Sequence, residues 1–364
     1  MIELNENDYM KLAIEEAKKG MGFTSPNPMV GAVLVKDGVI LGSDYHHKYG
    51  ELHAERNVLL NCKEDVRGAD LYVTLEPCAH QGKTPPCTDI IIEKGIKRVF
   101  IGSSDPNPLV SGKGENILKS HGIVVKSGLL KRECDELNEP FFHYITTGVP
   151  YVVMKYAMTA DGKIATKIGA SKWITGEEAR YSVQQSRLRY TGIMVGIGTV
   201  LADDPLLTCR LPGGRNPIRI ICDSSLRTPL TSNIVKTAVE IPTFIATVNN
   251  DLKEHRRYES RGVKILNTSA KYGHVDLNDL MIKLGRLKID SILLEGGGQL
   301  NYSALESGIV NKVQCYIAPK IFGGEKAKTA VSGIGVSLPE NAFMLGEPKI
   351  STYGEDILIE WKVR

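Results

Sequence analysis

Three short pieces of the chain carry groups able to polarise water: His53-Ala54-Glu55, Pro77-Cys78 and Pro85-Pro86-Cys87. One imidazole and two thiolates form a donor set that suits Zn²⁺, and three protein ligands leave a fourth tetrahedral position for water. A carboxylate that is not itself a ligand must then carry protons between that water and a departing amine, and Glu55 is the candidate. His53 and Glu55 are two residues apart and do not share a face of a regular helix. They converge only if His53 stands at a helix entrance. Cys78 and Cys87 each follow Pro, a residue favoured in the first helical turn, and helix N-termini lower thiol pKa. Both cysteines are therefore expected at helix starts. His-x-Glu alone is common by chance, and a lone buried Cys is usually a small hydrophobe. Their conjunction with Thr74-Leu75-Glu76-Pro77-Cys78 points to a zinc site for hydrolytic deamination. The short form of that signature closes on Cys-x-x-Cys, whereas eight residues, Ala79 to Pro86, separate the two cysteines in this chain.

In the second half, Lys155 lies inside an apolar segment, on the same face of a strand as Ala157, and a lysine there calls for a partner or a ligand. Met194-Val195-Gly196-Ile197-Gly198-Thr199 ends a strand with two glycines, either a plain turn or a close backbone approach to a cofactor. Leu201 stands where Gly-x-Gly-x-x-Gly needs its third glycine, so the dinucleotide fingerprint fails. Leu294-Glu295-Gly296-Gly297-Gly298 repeats the strand–glycine–helix design, and backbone amides at such a helix start suit a pyrophosphate.

The elements that must hold these groups read as alternating helices and short apolar strands. Helices are expected at Asp8–Lys19, His53–Asn61, Asp89–Lys94 and Glu177–Arg189. A hairpin turns at Asp37-Gly38. Strands are expected at Leu71–Leu75, Arg98–Gly102, Tyr151–Met158, Gly192–Gly198, Ile218–Asp223, Thr243–Val248, Ser291–Leu294 and Val313–Ala318. This is an α/β pattern. It restarts after Gly148-Val149-Pro150, which places two domains at 1–148 and 149–364.

With 364 residues, two domains are the prior. Lys plus Arg is 45 against 42 Asp plus Glu, a balance that gives no whole-molecule nucleic-acid clamp. The N-terminus has no basic and apolar leader, and apolar runs such as Met29–Val35 are too short to span a bilayer. The expectation is a reduced, cytoplasmic protein whose clustered Cys and His bind metal, with no nucleic-acid or membrane partner. Cys62, Cys134, Cys209, Cys222 and Cys315 lack ligand spacing.

The long-spaced run Thr74–Cys87 closely resembles the deaminase domain of the bifunctional riboflavin biosynthesis proteins. Asn27-Pro28-Met29-Val30-Gly31-Ala32, His53-Ala54-Glu55 and Asp105-Pro106-Asn107-Pro108 match the same family. Ser171-Lys172-Trp173-Ile174-Thr175, Val195–Thr199 through Asp203-Asp204-Pro205, and Leu207-Thr208-Cys209-Arg210 resemble its reductase domain. The resemblance implies a cytidine-deaminase-like α/β/α sandwich followed by a dihydrofolate-reductase-like α/β domain, with one Zn²⁺ per chain and NADPH. It implies cofactor contacts at Ala157, Trp173, Thr199, Asp203, Ser224, Gly297 and Gly298. Substrate contacts are implied at Ser171, Arg187, Leu207, Arg210 and Glu295, and Asn27 is a candidate for holding a pyrimidine edge. Arg187 and Arg210 suit a phosphate, because a guanidinium binds it bidentately. Glu55 and Lys155 are the catalytic candidates and His53, Cys78 and Cys87 the metal ligands. His46, His80, Lys83 and Lys113 are open between substrate contacts and ordinary surface or packing roles. The substrate expected is a phosphorylated diaminopyrimidine, deaminated and then reduced in its ribosyl chain, by a homo-oligomer. The alternative is a nucleic-acid or free-base zinc deaminase with a fused reductase-like domain. That would call for a basic, aromatic-lined groove, which 6% aromatic content and the absence of a basic stripe do not support. A purely structural zinc module would need a fourth protein ligand.

Overall fold

A computed structural model describes residues 4–81, 85–107 and 111–364. Lys83 and Pro108 lie outside the described residues. The chain divides into two compact units, Met1–Gly148 and Val149–Arg364.

The first unit runs α1 (Glu6–Lys18), β1 (Gly31–Lys36), β2 (Val39–Tyr45), α2 (Ala54–Asn61), β3 (Asp70–Leu75), α3 (Cys87–Glu93), β4 (Arg98–Ser103), α4 (Lys113–Ser120), β5 (Val124–Ser127), α5 (Lys131–Leu137) and α6 (Glu139–Thr147). Helix α1 starts at a capping box. The Asn5 side chain accepts from the backbone of Asn7 and Asp8, while the Asp8 carboxylate accepts the Asn5 N–H, so orphan amides are satisfied from both directions. The hairpin turns as expected, with Asp37 and Gly38 both at positive φ (49° and 77°), the geometry that matches strand twist in a two-residue turn.

The five strands lie in the order β2-β1-β3-β4-β5, with β1 antiparallel to β2 and β3, and β3, β4 and β5 parallel. Alternate side chains separate the two faces. Ala32, Leu34, Leu71, Val73, Val99 and Ile101 pack on Val58 of α2, Ile90 of α3 and Leu118 of α4. Val33, Val35, Tyr72 and Phe100 pack on Met10, Ala13 and Ile14 of α1 and Cys134 of α5. The result is an α/β/α sandwich with helices on both faces.

The second unit runs β6 (Tyr151–Thr159), α7 (Glu177–Arg189), β7 (Gly192–Gly196), α8 (Ile197–Asp203), β8 (Ile218–Cys222), α9 (Asn233–Lys236), β9 (Thr243–Thr247), α10 (Leu252–Glu259), β10 (Val263–Asn267), β11 (Ala270–Lys271), β12 (His274–Val275), α11 (Leu277–Arg286), β13 (Ser291–Leu294), α12 (Gly298–Glu306), β14 (Val310–Ala318), β15 (Lys349–Tyr353) and β16 (Asp356–Lys362). Its nine-stranded sheet has the order β10-β9-β8-β7-β13-β6-β14-β16-β15. The seven strands from β10 to β14 are parallel, and the β15–β16 hairpin adds two antiparallel strands at one edge. Leu280 and Leu284 of α11 and Ala304 of α12 cover one face. Ile197 and Val200 of α8, Ile234 and Val235 of α9, Tyr258 of α10, and Ala179 and Val183 of α7 cover the other. Strands buried on both faces read as apolar runs without alternation, which is why β6, β7 and β13 were legible. The strand expected at 192–198 ends at Gly196, because Ile197 already opens α8.

Candidate active sites

His53 is the N-cap of α2, with an extended backbone (φ −75°, ψ 163°), and Glu55 lies in the first turn. The helix entrance supplies the irregular backbone that lets residues i and i+2 point together. Cys87 is the first residue of α3, as expected. Cys78 is not at a helix start: it lies in the loop that leaves β3. It reaches a helix N-terminus in space instead, because the Cys87 N–H donates to its Sγ at 3.3 Å, and the N–H groups of Cys87 and Thr88 donate to its carbonyl. Pro77 therefore ends the strand without starting a helix.

The His53 Nδ1 stands 3.5 Å from Cys78 Sγ and 3.4 Å from Cys87 Sγ, and the three ligand atoms lie within 4.8 Å of one another. Tetrahedral bonding at about 2.3 Å to sulfur and about 2.05 Å to nitrogen separates S and N by roughly 3.5 Å. The spacing fits zinc. On the protein's own charges, Cys78 is held down to about 4 by hydrogen bonding from Cys87 and His53 against the opposing effect of burial. Cys87 is pushed up by its pairing with Cys78 and by burial. The two sulfurs thus share one negative charge, and a divalent cation is what allows both to be thiolates.

Glu55 is 3% exposed and its Oε2 is buried with no hydrogen-bond partner among the described residues. Burial pushes its carboxyl pKa up, against a lowering by His53. A carboxylic group so placed holds a proton readily and has one oxygen free to pass it on. Beside it, the His46 ring lies edge-on to His53 at 5.3 Å. His46 is 2% exposed and its Nδ1 bonds the Leu52 carbonyl at 2.9 Å. Its Nε2 meets the Asn27 side chain at 3.3 Å. Asn27 itself follows the chain into Met29, whose N–H and C=O are both bonded by the buried Asn138 side chain. His80 is exposed, so the described residues place three protein ligands together.

In the second unit the residues gather at the carboxyl ends of neighbouring parallel strands. Glu295 follows β13, and its carboxylate takes a two-pronged bond from Arg187 of α7, both contacts 2.9 Å. The Arg187 and Glu295 side chains are 13% and 14% exposed, and Arg187 Nη1 also donates to the Thr208 carbonyl. Lys155 of β6 faces the same pair. Burial lowers its pKa while Glu295 opposes that, and its Nζ lies 5.7 Å from the centre of the Tyr316 ring. Glu295 is thus the anion whose field offsets the burial of Lys155. Arg187 is occupied with the same carboxylate and presents no free fork. Arg210 is exposed, with its backbone N–H on Gln184, and adds positive potential at Glu295.

The two glycine loops emerge from adjacent strands, β7 and β13. A Cβ on Gly297 would sit 4.0 Å from Thr199 Oγ1, so the loops meet. Gly297 caps α12, which begins at Gly298, and a Cβ on Gly298 would lie 2.8 Å from the Thr329 carbonyl. Ala157 packs near Tyr316. Ser224 follows β8 and its Oγ accepts the Val275 N–H. Trp173 is 59% exposed and stacks under Arg180 at 4.8 Å. Ser171 is half-buried, and Asp203 is exposed at the end of α8. Leu207 buries its side chain in the core at positive φ (54°), so any ligand contact there runs through its backbone.

Three donors at zinc-like spacing beside a buried glutamate, followed by a parallel α/β unit with paired glycine loops, fit a hydrolytic deaminase linked to a nucleotide-dependent enzyme. Comparison with known families agrees. Residues 4–103 match the cytidine and deoxycytidylate deaminase zinc-binding region, and residues 150–359 match the RibD C-terminal domain. The chain is 58% identical to the riboflavin biosynthesis protein RibD of Actinobacillus pleuropneumoniae, over 99% of this chain and 96% of that one. It is 44% identical to that of Bacillus amyloliquefaciens, over 97% and 95%. Among solved structures it superposes with a TM-score of 0.86 and 39% identity on a deaminase/reductase from Thermotoga maritima, covering 98% of each chain. The RibD of Acinetobacter baumannii gives 0.87 and 34%, again with 98% of each covered. The chain belongs to the RibD family: it is a bifunctional enzyme of riboflavin biosynthesis, a zinc-dependent deaminase and an NADPH-dependent reductase.

Proposed function

We propose that the two reactions are divided between the two units. Residues 1–148 deaminate 2,5-diamino-6-(ribosylamino)-4-pyrimidinone 5′-phosphate, and residues 149–364 reduce the ribosyl chain of the product to ribityl. The observation that carries the first assignment is the pairing of the His53–Cys78–Cys87 triangle with a buried glutamate whose Oε2 is free. Bound zinc supplies the Lewis acidity that makes water nucleophilic near neutral pH. Glu55 takes a proton as water adds to the ring carbon bearing the 2-amino group and passes it to the ring nitrogen; it then takes the proton of the new hydroxyl as the carbonyl forms and gives it to the amine, whose bond to carbon breaks to release ammonia. Asn27, whose side chain meets His46, holds the pyrimidine edge beside His53.

In the second unit, NADPH supplies a hydride for C1′ of the ring-opened imine, whose nitrogen then takes a proton. Lys155 is the proposed donor, kept charged by Glu295, while Arg187 orients Glu295. Ala157, Trp173, Thr199, Asp203, Ser224, Gly297 and Gly298 are the proposed cofactor contacts. Ser171, Leu207, Arg210 and Glu295 are the proposed substrate contacts, and exposed Arg210 is the better phosphate ligand of the two arginines.

No helix among the described residues is long and apolar enough to cross a membrane, which is compatible with the cytoplasmic location we propose. We also infer a homo-oligomer. Ile350 (63% exposed) and Ile357 (41% exposed) on the outer β15–β16 hairpin support it, and light scattering that returns the mass of a single chain would refute it.

Two variants test the metal assignment. Cys78→Ala should lose zinc and ammonia release together. Glu55→Gln should keep one zinc per chain and lose about 10²–10⁴-fold in deamination, with reduction unchanged. Full zinc in the cysteine variant, or loss of zinc in the glutamine variant, would reverse the assignment of ligand and proton carrier.

A further inference from the structure

The acidic residue between β3 and the first cysteine takes no part in the chemistry above, yet it is 5% exposed. Among the described residues its carboxylate is hydrogen-bonded by backbone amides. The Glu76 Oε1 accepts the N–H groups of Gly114 (3.0 Å) and Glu115 (3.4 Å), and Oε2 accepts those of Gly112 (3.0 Å) and Asp105 (3.4 Å). Its own N–H continues the sheet ladder to the Ser103 carbonyl. One carboxylate therefore ties the amino end of α4 and the start of the Asp105 segment to the point where β3 becomes the ligand loop. The contact is close on the other side as well. A Cβ on Gly114 would fall 2.1 Å from the Pro77 carbonyl oxygen, so α4 rests directly on the peptide that precedes Cys78. From the far side, α3 holds the Cys78 carbonyl and Sγ.

We propose that Glu76 is a positioning residue of the deaminase site. It clamps Pro77-Cys78 between the amino ends of α3 and α4, and so fixes the Cys78 sulfur at its ligand distance from His53. An unsupported loop would let that sulfur wander, and partners one shell out from a metal typically govern 10–100-fold in metal affinity. The proposal rests on His53, Cys78 and Cys87 being the zinc ligands.

The test uses the full chain, so that reduction by the second unit reports on fold and concentration in the same sample. Glu76→Gln preserves shape but turns one oxygen into a donor facing two N–H groups. Zinc release to a chromogenic chelator should become at least tenfold faster, and deaminase kcat should fall while reductase kcat holds. Wild-type release and deamination in the variant would overturn the proposal. Wild-type protein that binds no zinc would instead overturn the ligand assignment on which it rests. A second measurement needs no variant. Coupling between two sites is reciprocal, so stripping zinc from the wild-type chain should raise amide hydrogen exchange at Asp105, Gly112 and Gly114 more than tenfold, with the second unit unaffected. Unchanged exchange at those amides would overturn the proposal even if Glu76→Gln does not fold.

Discussion

Replacing Glu295 by Gln removes the anion that pairs with Arg187 and offsets the burial of Lys155. Burial alone would raise the Glu295 pKa, but Arg187, Lys155, the two-pronged hydrogen bond and Arg210 together bring it down to about 2, against 4.5 for a free glutamate. A depressed folded pKa means stability that is present above about 4.5 and is lost as pH falls toward about 2. The difference of roughly 2.5 units corresponds to about 3 kcal/mol at neutral pH, at the low end of the 3–5 kcal/mol typical of breaking a buried pair. The attraction to Lys155 is already contained in that figure. Both tryptophans, Trp173 and Trp361, lie in the second unit, so their fluorescence in urea follows that unit selectively. With a denaturant slope of about 2–3 kcal/mol/M, the midpoint of Glu295→Gln should fall by roughly 1 M at pH 7. The gap should hold to about pH 5.5 and narrow below 4.5. A shift under about 0.3 M, or a gap independent of pH, would show that the cations are satisfied without Glu295 and would refute the reasoning.

Lys155→Ala should lower reductase turnover more than it weakens NADPH binding. In the wild type, reduction should fall as pH rises through a Lys155 pKa that lies below 10.5, and that limb should move to still lower pH in Glu295→Gln, because the supporting anion is gone. An alkaline limb indifferent to both substitutions would remove Lys155 from proton donation. A fragment beginning at Val149 should fold and reduce the deaminated intermediate with NADPH and without zinc, since the proposed ligands lie outside it. If that soluble fragment is inert while the full chain reduces, the two activities do not belong to separate units.

Local signals carried far, and their failures share one cause. The His53 position at a helix entrance followed from a spacing of two residues, and the helix expected at Glu177–Arg189 has those bounds in the structure. Cys78 was misplaced because its loop is shaped by α3 and α4, whose contacts come from 9 and 38 positions further along. The Asn27–His46 contact and the Arg187–Glu295 pair span 19 and 108 positions, beyond any periodicity. Strands β5 and β15 gave no signal because they lie mostly exposed at sheet edges and need no apolar run. Glu76 did have a mark of its own: an acid directly after a six-residue strand that is buried throughout has to be satisfied by something.

The position of β6 has a consequence for synthesis. It is the first strand of its unit to leave the ribosome, yet it lies between β13 and β14, both made about 130 residues or more later. At 5–20 residues per second, its apolar edge waits roughly 7–25 s for a neighbour. The first unit has no such delay, since all five of its strands are made before β6 begins. A chain interrupted before β13 would therefore carry a finished first unit tethered to a β6 with neither of its neighbours, an aggregation hazard.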